Sequence, residues 1–331
     1  MARIFLTHPP AALEQYYGAK ALAALRELAE VRINPLTREL SIEELADAAQ
    51  DCALIISYRQ TPGPAELFER MPNLVAYARC AIDIRNIDVA AASRAGVLVT
   101  QASAGFIASV SEWTIGAMID LSRNLTGMTM AYHAGRVPVA PMGRELRAAT
   151  LGLIGYGQIS RYLCKLALPF GMRVLVSDPY AKVDDPALKQ VALSELLGAA
   201  DYVVCLAVAS EETENLMNDA AFAAMKPGAY FINPSRGNLV DEAALARALD
   251  GGRLAGCALD VGRAPDQMPT PALARHPQVI ATPHLAGLTP PAIEHQSLET
   301  VAQAAEILAG RVPVGAVNAA QATRLTRLAN R

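Results

Sequence analysis

The chain has no apolar run approaching the ~20 residues that span a bilayer. Membrane association is therefore not expected. It also has no excess of positive charge: 29 Lys and Arg stand against 32 Asp and Glu, a net charge of −3. That leaves no electrostatic footprint for nucleic acid or an anionic lipid surface. Its five cysteines (Cys52, Cys80, Cys164, Cys205, Cys257) are odd in number, far apart and never in a CxxC pair. They read as buried free thiols in a reducing compartment, not as a disulfide framework, and no metal is expected. Aromatics are sparse at 5% while hydrophobic residues reach 52%, a balance that suits a helix-rich α/β protein. The first ten residues, MARIFLTHPP, run straight into a strand-like pattern, so no cleaved leader is expected and the location is expected to be cytoplasmic. There is no short repeat and no low-complexity tract. A length of 331 residues suggests two domains, each with its own core.

The stretch Thr150–Tyr180 is the most informative. An apolar run, Leu151–Ile154, leads into Gly155-Tyr156-Gly157-Gln158-Ile159-Ser160. Helical spacing of Ile159, Leu163, Leu166 and Phe170 follows, then a second strand, Arg173–Ser177, ending on Asp178. Strand, glycine turn, helix, strand and acid, in that order, make a dinucleotide site. Gly155 permits the tight turn, Gly157 lets backbone approach a pyrophosphate, and the helix start offers unpaired N–H groups to the anion. Ser160 stands where a third glycine is usual. The Asp178 carboxylate suits a ribose diol and repels a 2′-phosphate, and no arginine follows it in Pro179-Tyr180, so NAD is favoured over NADP.

Strand and helix patterns alternate along the rest. Arg3–Thr7, Ala53–Ser57, Leu74–Cys80 and Val97–Thr100 read as strands, with helices over Ala11–Ala29 and Val89–Ala95. Phe106–Leu125 reads as a long helix, apolar on nearly every side. Gly127–Arg147, with Pro138 and Pro141, lacks periodicity and reads as an arm belonging to a dimer contact. Tyr202–Ala207, Ala229–Asn233, Gly256–Val261 and Val279–Thr282 continue the strands, and Pro290–Leu308 is a final helix before a polar tail. The implied fold class is α/β: two Rossmann-like or flavodoxin-like doubly wound parallel sheets with a cleft between them.

In open α/β sheets ligands meet the carboxyl ends of strands. Those ends carry His8, Arg59-Gln60-Thr61, and Asp83 with Arg85 in the first third. In the second half, Arg236 follows one strand, Asp260 ends the next, and His284 follows a third. An arginine fork can clamp a carboxylate, and a histidine can move the proton that accompanies a redox step.

GYGQIS with Asp178, MKPGAYFINPSRGNLVDEAAL (Met225–Leu245), LAGCALDV (Leu254–Val261) and TPHLAG (Thr282–Gly287) together resemble the NAD-dependent D-isomer-specific 2-hydroxyacid dehydrogenases, over nearly the whole chain. The resemblance implies an oxidoreductase that exchanges hydride between NAD(H) and C2 of a small 2-hydroxy or 2-keto acid. It also implies a discontinuous substrate-binding domain, 1–101 with 288–331. The NAD domain would be 102–287, with a homodimer built on 106–147. Arg236 would hold the substrate carboxylate and polarise its keto oxygen, and His284 would be the acid/base. Asp260 would meet the nicotinamide carboxamide. Gln158 and Ile159 would cradle the pyrophosphate, with Ala207 and Ser235 also along the cofactor. Arg59, Ala81, Ile82 and Asp83 would face the substrate.

The departures are specific. The family's glutamate partner for the histidine is missing: Asp260-Val261-Gly262-Arg263-Ala264-Pro265-Asp266-Gln267 offers only Asp266 as a catalytic stand-in. Without a partner, carbonyl reduction near neutral pH should suffer. The glycine-rich substrate loop reads Ala81-Ile82-Asp83-Ile84-Arg85-Asn86, where Asp83 would oppose an anion unless Arg85 or Arg59 neutralises it or it points away. Gln101, Ala207, Ala209 and Trp113 replace other customary residues. Two further readings therefore stay open: a formate-dehydrogenase-like enzyme, which needs no proton relay, and an NADH-sensing binding protein whose catalysis has decayed.

Overall fold

The computed structural model describes residues 2–329. The chain divides into two compact units, Met1–Phe106 with Thr289–Arg331 and Ile107–Leu288.

The first unit is one parallel sheet of β1 (Arg3–Leu6), β2 (Glu30–Ile33), β3 (Leu54–Ser57), β4 (Ala76–Arg79) and β5 (Leu98–Gln101), in the order β2-β1-β3-β4-β5. That is the flavodoxin-like winding. Side chains alternate across it as the strand period requires. Ile4, Leu6, Leu54, Ile56, Ala76 and Ala78 join one core with Tyr17, Leu25, Ala304 and Ile307. Phe5, Ile55, Tyr77 and Val99 face the opposite core with Leu45, Leu67 and Phe68. Burial on both faces explains why these strands read as continuous apolar runs.

Several expectations are corrected here. The single helix expected over Ala11–Ala29 is two, Pro10–Tyr16 and Ala19–Leu28, because the chain turns at Gly18 with φ +84. Strand β2 was not expected at all. Its Glu30 and Arg32 pair with Arg3 and Asp51 at the sheet edge, so no apolar run betrays it. Helix Ile42–Ala48 was also missed, although Ser41 and Glu44 form a full capping box at its start. The expected polar tail is instead stitched to β5. Asn318 accepts from Val99 N and donates to Val97 O, and Leu325 and Leu328 enter the core.

The second unit is a seven-stranded parallel sheet: β6 (Thr150–Ile154), β7 (Arg173–Ser177), β8 (Leu188–Gln190), β9 (Tyr202–Cys205), β10 (Ala229–Asn233), β11 (Leu254–Leu259) and β12 (Val279–Ala281). Their order is β12-β11-β10-β9-β6-β7-β8. The direction of winding reverses between β6 and β9, which is where a doubly wound sheet opens a crevice. Both faces are again covered, one around Phe231, Cys257 and Leu259, the other around Leu153, Val176, Tyr202 and Ile232.

The long helix runs Ile107–Arg123 and lies against helix Gln158–Ala167. It stops at Asn124, whose φ of +51 starts a new helix, Leu125–His133. The segment expected to be irregular from 127 is thus helical to 133. The helical spacing after the glycine turn extends the expected fingerprint helix to Phe170. The helix itself ends at Ala167, a 3₁₀ turn with Pro169 follows, and Phe170 is exposed. Strand β8 was missed as well. Among the described residues no helix is long and apolar enough to cross a membrane.

Candidate active site

At the switch point the glycine turn follows β6. Gly155 has φ +95, and a Cβ there would lie 2.7 Å from Leu206 O and 2.9 Å from Ala207 N, so only glycine lets the turn pass the end of β9. Gly157 differs: a Cβ built on it would meet nothing within 4 Å, which leaves its bare backbone facing open space. It caps helix Gln158–Ala167, whose first helical bond is Arg161 N to Gly157 O. The N–H groups of Gln158, Ile159 and Ser160 therefore have no acceptor within the helix. Ser160, in the third glycine's place, is fully buried and donates to Gly155 O at 2.7 Å. The hydroxyl ties the turn to the helix that glycine would merely have let approach.

Asp178 after β7 closes the same turn. Its carboxylate accepts from Tyr156 N at 2.7 Å and from Tyr180 N and Ala181 N at 2.8 Å. Burial pulls this carboxyl up, but the N–H groups of Ala181, Tyr180 and Tyr156, with Arg161 nearby, outweigh it and hold the acid below its ordinary value. It is an anion at neutral pH. Across the switch point, Ser235 Oγ donates to Ala207 O at 3.1 Å, joining the ends of β9 and β10. Bare glycine backbone, free helix-start donors and a fixed carboxylate fit a dinucleotide with an unphosphorylated ribose.

Arg236, Asp260 and His284 stand beyond the ends of β10, β11 and β12, three neighbouring strands. The Arg236 loop is held close to the next strand end. A Cβ on Gly237 would be 2.0 Å from Gly262 O, so the two loops touch backbone to backbone. Arg236 itself is half-buried, with Nη1 donating to Ser235 O at 2.8 Å.

Asp260 is buried and organises the histidine loop. It accepts from Thr282 Oγ1 at 2.6 Å, Leu285 N at 2.8 Å and Ala286 N at 2.8 Å, while its own carbonyl accepts from His284 N at 2.9 Å. His284 sits in the left-handed region at φ +54. Its Nδ1 lies 2.9 Å from Asp266 O. This contact between Asp266 and the histidine is thus made by the main-chain carbonyl. A carbonyl only accepts, so Nδ1 carries a proton in this contact.

The remaining substrate candidates gather in the first unit, beyond β3 and β4. The Arg59 guanidinium lies 5.1 Å over the Tyr16 ring. Asp83 is bound by Arg85, Nη2 to Oδ2 at 2.6 Å and backbone N to Oδ1 at 3.0 Å, so Arg85 neutralises it. Ala81 O accepts from Ala102 N and the loop is anchored by Asn86, which receives Arg79 Nη2 at 2.6 Å. Arg79 and His8, both fully buried, give this edge its polar floor. Nothing but an arginine inside an apolar strand pointed to Arg79. Burial pushes the Cys80 thiol up to about 12, so it is no nucleophile at neutral pH.

Residues 115–286 match the family model described as "D-isomer specific 2-hydroxyacid dehydrogenase, NAD binding domain". The chain is 35% identical over 294 residues to an (S)-sulfolactate dehydrogenase from Chromohalobacter salexigens, covering 87% of this chain and 93% of that protein. It is 33% identical over 287 residues to the D-3-phosphoglycerate dehydrogenase of Rattus norvegicus, 85% of this chain but 54% of that one. It therefore spans about half the length of the phosphoglycerate dehydrogenases it matches. The crystal structure of the TT0316 protein from Thermus thermophilus superposes with a TM-score of 0.86 at 29% identity, covering 95% of this chain and 99% of that one.

Proposed function

The chain belongs to the D-isomer-specific 2-hydroxyacid dehydrogenases, and we propose that it interconverts a small D-2-hydroxy acid and its 2-keto acid with NAD(H). When bound, the cofactor supplies the hydride acceptor or donor. The chain's own residues do the rest. The first turn of helix Gln158–Ala167 receives the pyrophosphate and Asp178 the ribose, with Ala207 and Ser235 lining the crevice. Arg236 grips the substrate carboxylate and draws electron density from the C2 oxygen. His284, with Nδ1 tied to Asp266 O, takes the hydroxyl proton on Nε2 in oxidation and returns it in reduction. Asp260 holds the loop that aims the ring.

The observation that supports this reading is the succession Arg236, Asp260, His284 on adjacent strand ends of the sheet that carries the glycine turn. The names of the relatives extend the substrate class to acids bearing sulfonate or phosphate. The test is oxidation of NADH with a panel of 2-keto acids. We expect turnover with at least one, and a loss of about 10²–10⁴ in kcat for His284→Ala with NADH affinity retained. Tight NADH binding without any turnover would favour the sensing reading instead.

We further propose a cytoplasmic homodimer without nucleic-acid or membrane partners. Its support is the row of exposed apolar side chains Met130, Tyr132, Val137, Val139 and Met142, the last 98% exposed.

A further inference from the structure

The loop after β11 holds a conformation that ought not to persist unaided. Asp266 and Gln267 both have φ +56, and Met268 N bonds Pro265 O at 3.3 Å. Two left-handed central residues are the pattern of a type I′ turn, which Asn and Gly adopt readily. Other residues there are strained, and such strain survives only where the surroundings over-determine it. This turn is the one whose Asp266 carbonyl receives His284 Nδ1.

Arg263 braces the base of this turn. Its Nη2 reaches Glu214 Oε1 at 2.9 Å, Asn215 Oδ1 at 2.6 Å and Asn238 O at 3.1 Å, and its Nε reaches Val240 O at 3.2 Å. Its own N–H bonds Glu242 Oε1 at 3.0 Å, and the other oxygen of Glu242 takes Thr270 Oγ1 at 2.9 Å. One guanidinium thus joins the segment after β9, the segment after Arg236 and the base of the turn. Inside the turn, Gly262 N bonds Gln267 O at 2.8 Å and Ala264 N bonds Met268 O at 3.0 Å. A Cβ at Gly262 would lie 2.6 Å from Pro269 Cα, so the turn has no slack on that side.

We propose that Arg263 is a positioning residue for the acid/base histidine: by pinning the 262–268 turn it holds the Asp266 carbonyl on Nδ1 and so fixes which ring nitrogen exchanges the proton. This rests on His284 as the proton carrier. It makes a main-chain carbonyl, steadied by an arginine at the base of the same turn, the element that orients the ring.

The test combines kinetics with ¹⁵N NMR of the full chain labelled at its five histidines. Arg263→Ala should lower kcat by roughly tenfold or more while the KM for NADH stays within about twofold. The His284 signal should move from a single Nδ1–H form to a mixture of tautomers. Arg263→Lys should recover little, since a point charge cannot replace the fork. Adding Gln267→Gly to Arg263→Ala should recover much of kcat, because glycine takes the left-handed conformation without strain. An unchanged His284 signature in Arg263→Ala with normal kcat overturns the proposal, and so does a kcat loss that the glycine does not relieve. Should Arg263→Ala fail to fold, Asn215→Ala removes one of the acceptors and must shift the same signal in the same direction. If His284→Ala itself leaves turnover intact, the proposed function falls, whereas the NMR readout still judges the pinning.

Discussion

His8 sits fully buried at the end of β1 between the rings of Tyr17 and Tyr58, with neither ring nitrogen hydrogen-bonded. Burial, and after it the Arg79 guanidinium, lowers its pKa to about 3. It is neutral in the fold, whereas the unfolded chain protonates it below about pH 6.5. Its contribution is therefore complete above pH 6.5 and shrinks as pH falls toward 3. The stability difference between the natural chain and His8→Leu should change by about 1.4 kcal/mol per pH unit across that window. Parallel denaturation midpoints for the two from pH 6.5 to 4 would refute it. The sequence placed His8 at a strand end but could not show that the ring turns inward. Arg263 was equally hidden: a charged residue in a loop reads as solvated, and its four acceptors come from segments up to 49 residues away.

Between strands, the decisive contacts are backbone against backbone. Gly155→Ala would drive a Cβ to 2.7 Å from Leu206 O at a φ of +95. We expect a loss of about 2–4 kcal/mol in stability and a much weaker NADH affinity, read by chemical denaturation and fluorescence titration; wild-type NADH affinity would count against the site. This turn, with Asp178 and the helix after it, was legible because each part has its own local signature. The Arg236–Gly237 approach to Gly262 was not, since a glycine in a loop does not name what passes it. Elements marked by apolar runs were found within a few residues. Charged edge strand β2 and the short β8, whose pattern of burial is half-buried then exposed, carry no such mark.

For the whole chain, two parallel sheets could be read from the alternation of strand and helix, while the proposed dimer rests on the arm 127–147 and the apolar helix before it. A pair of substitutions, Val139→Glu with Met142→Glu, should shift sedimentation toward the monomer without lowering the thermal midpoint of the monomer itself; an unchanged profile would place the contact elsewhere. What the periodicity could not reveal is that the closing segment is core. Ile307, Leu325 and Leu328 fill the same face as Ile4 and Leu54. A ribosome therefore releases the first hundred residues long before their missing wall exists. The intervening Ile107–Leu288 takes roughly ten to forty seconds to make. During that wait the nascent β1–β5 sheet shows a bare apolar flank, so this half of the molecule should depend on chaperones, and truncations upstream of Ile307 should aggregate while Ile107–Leu288 folds.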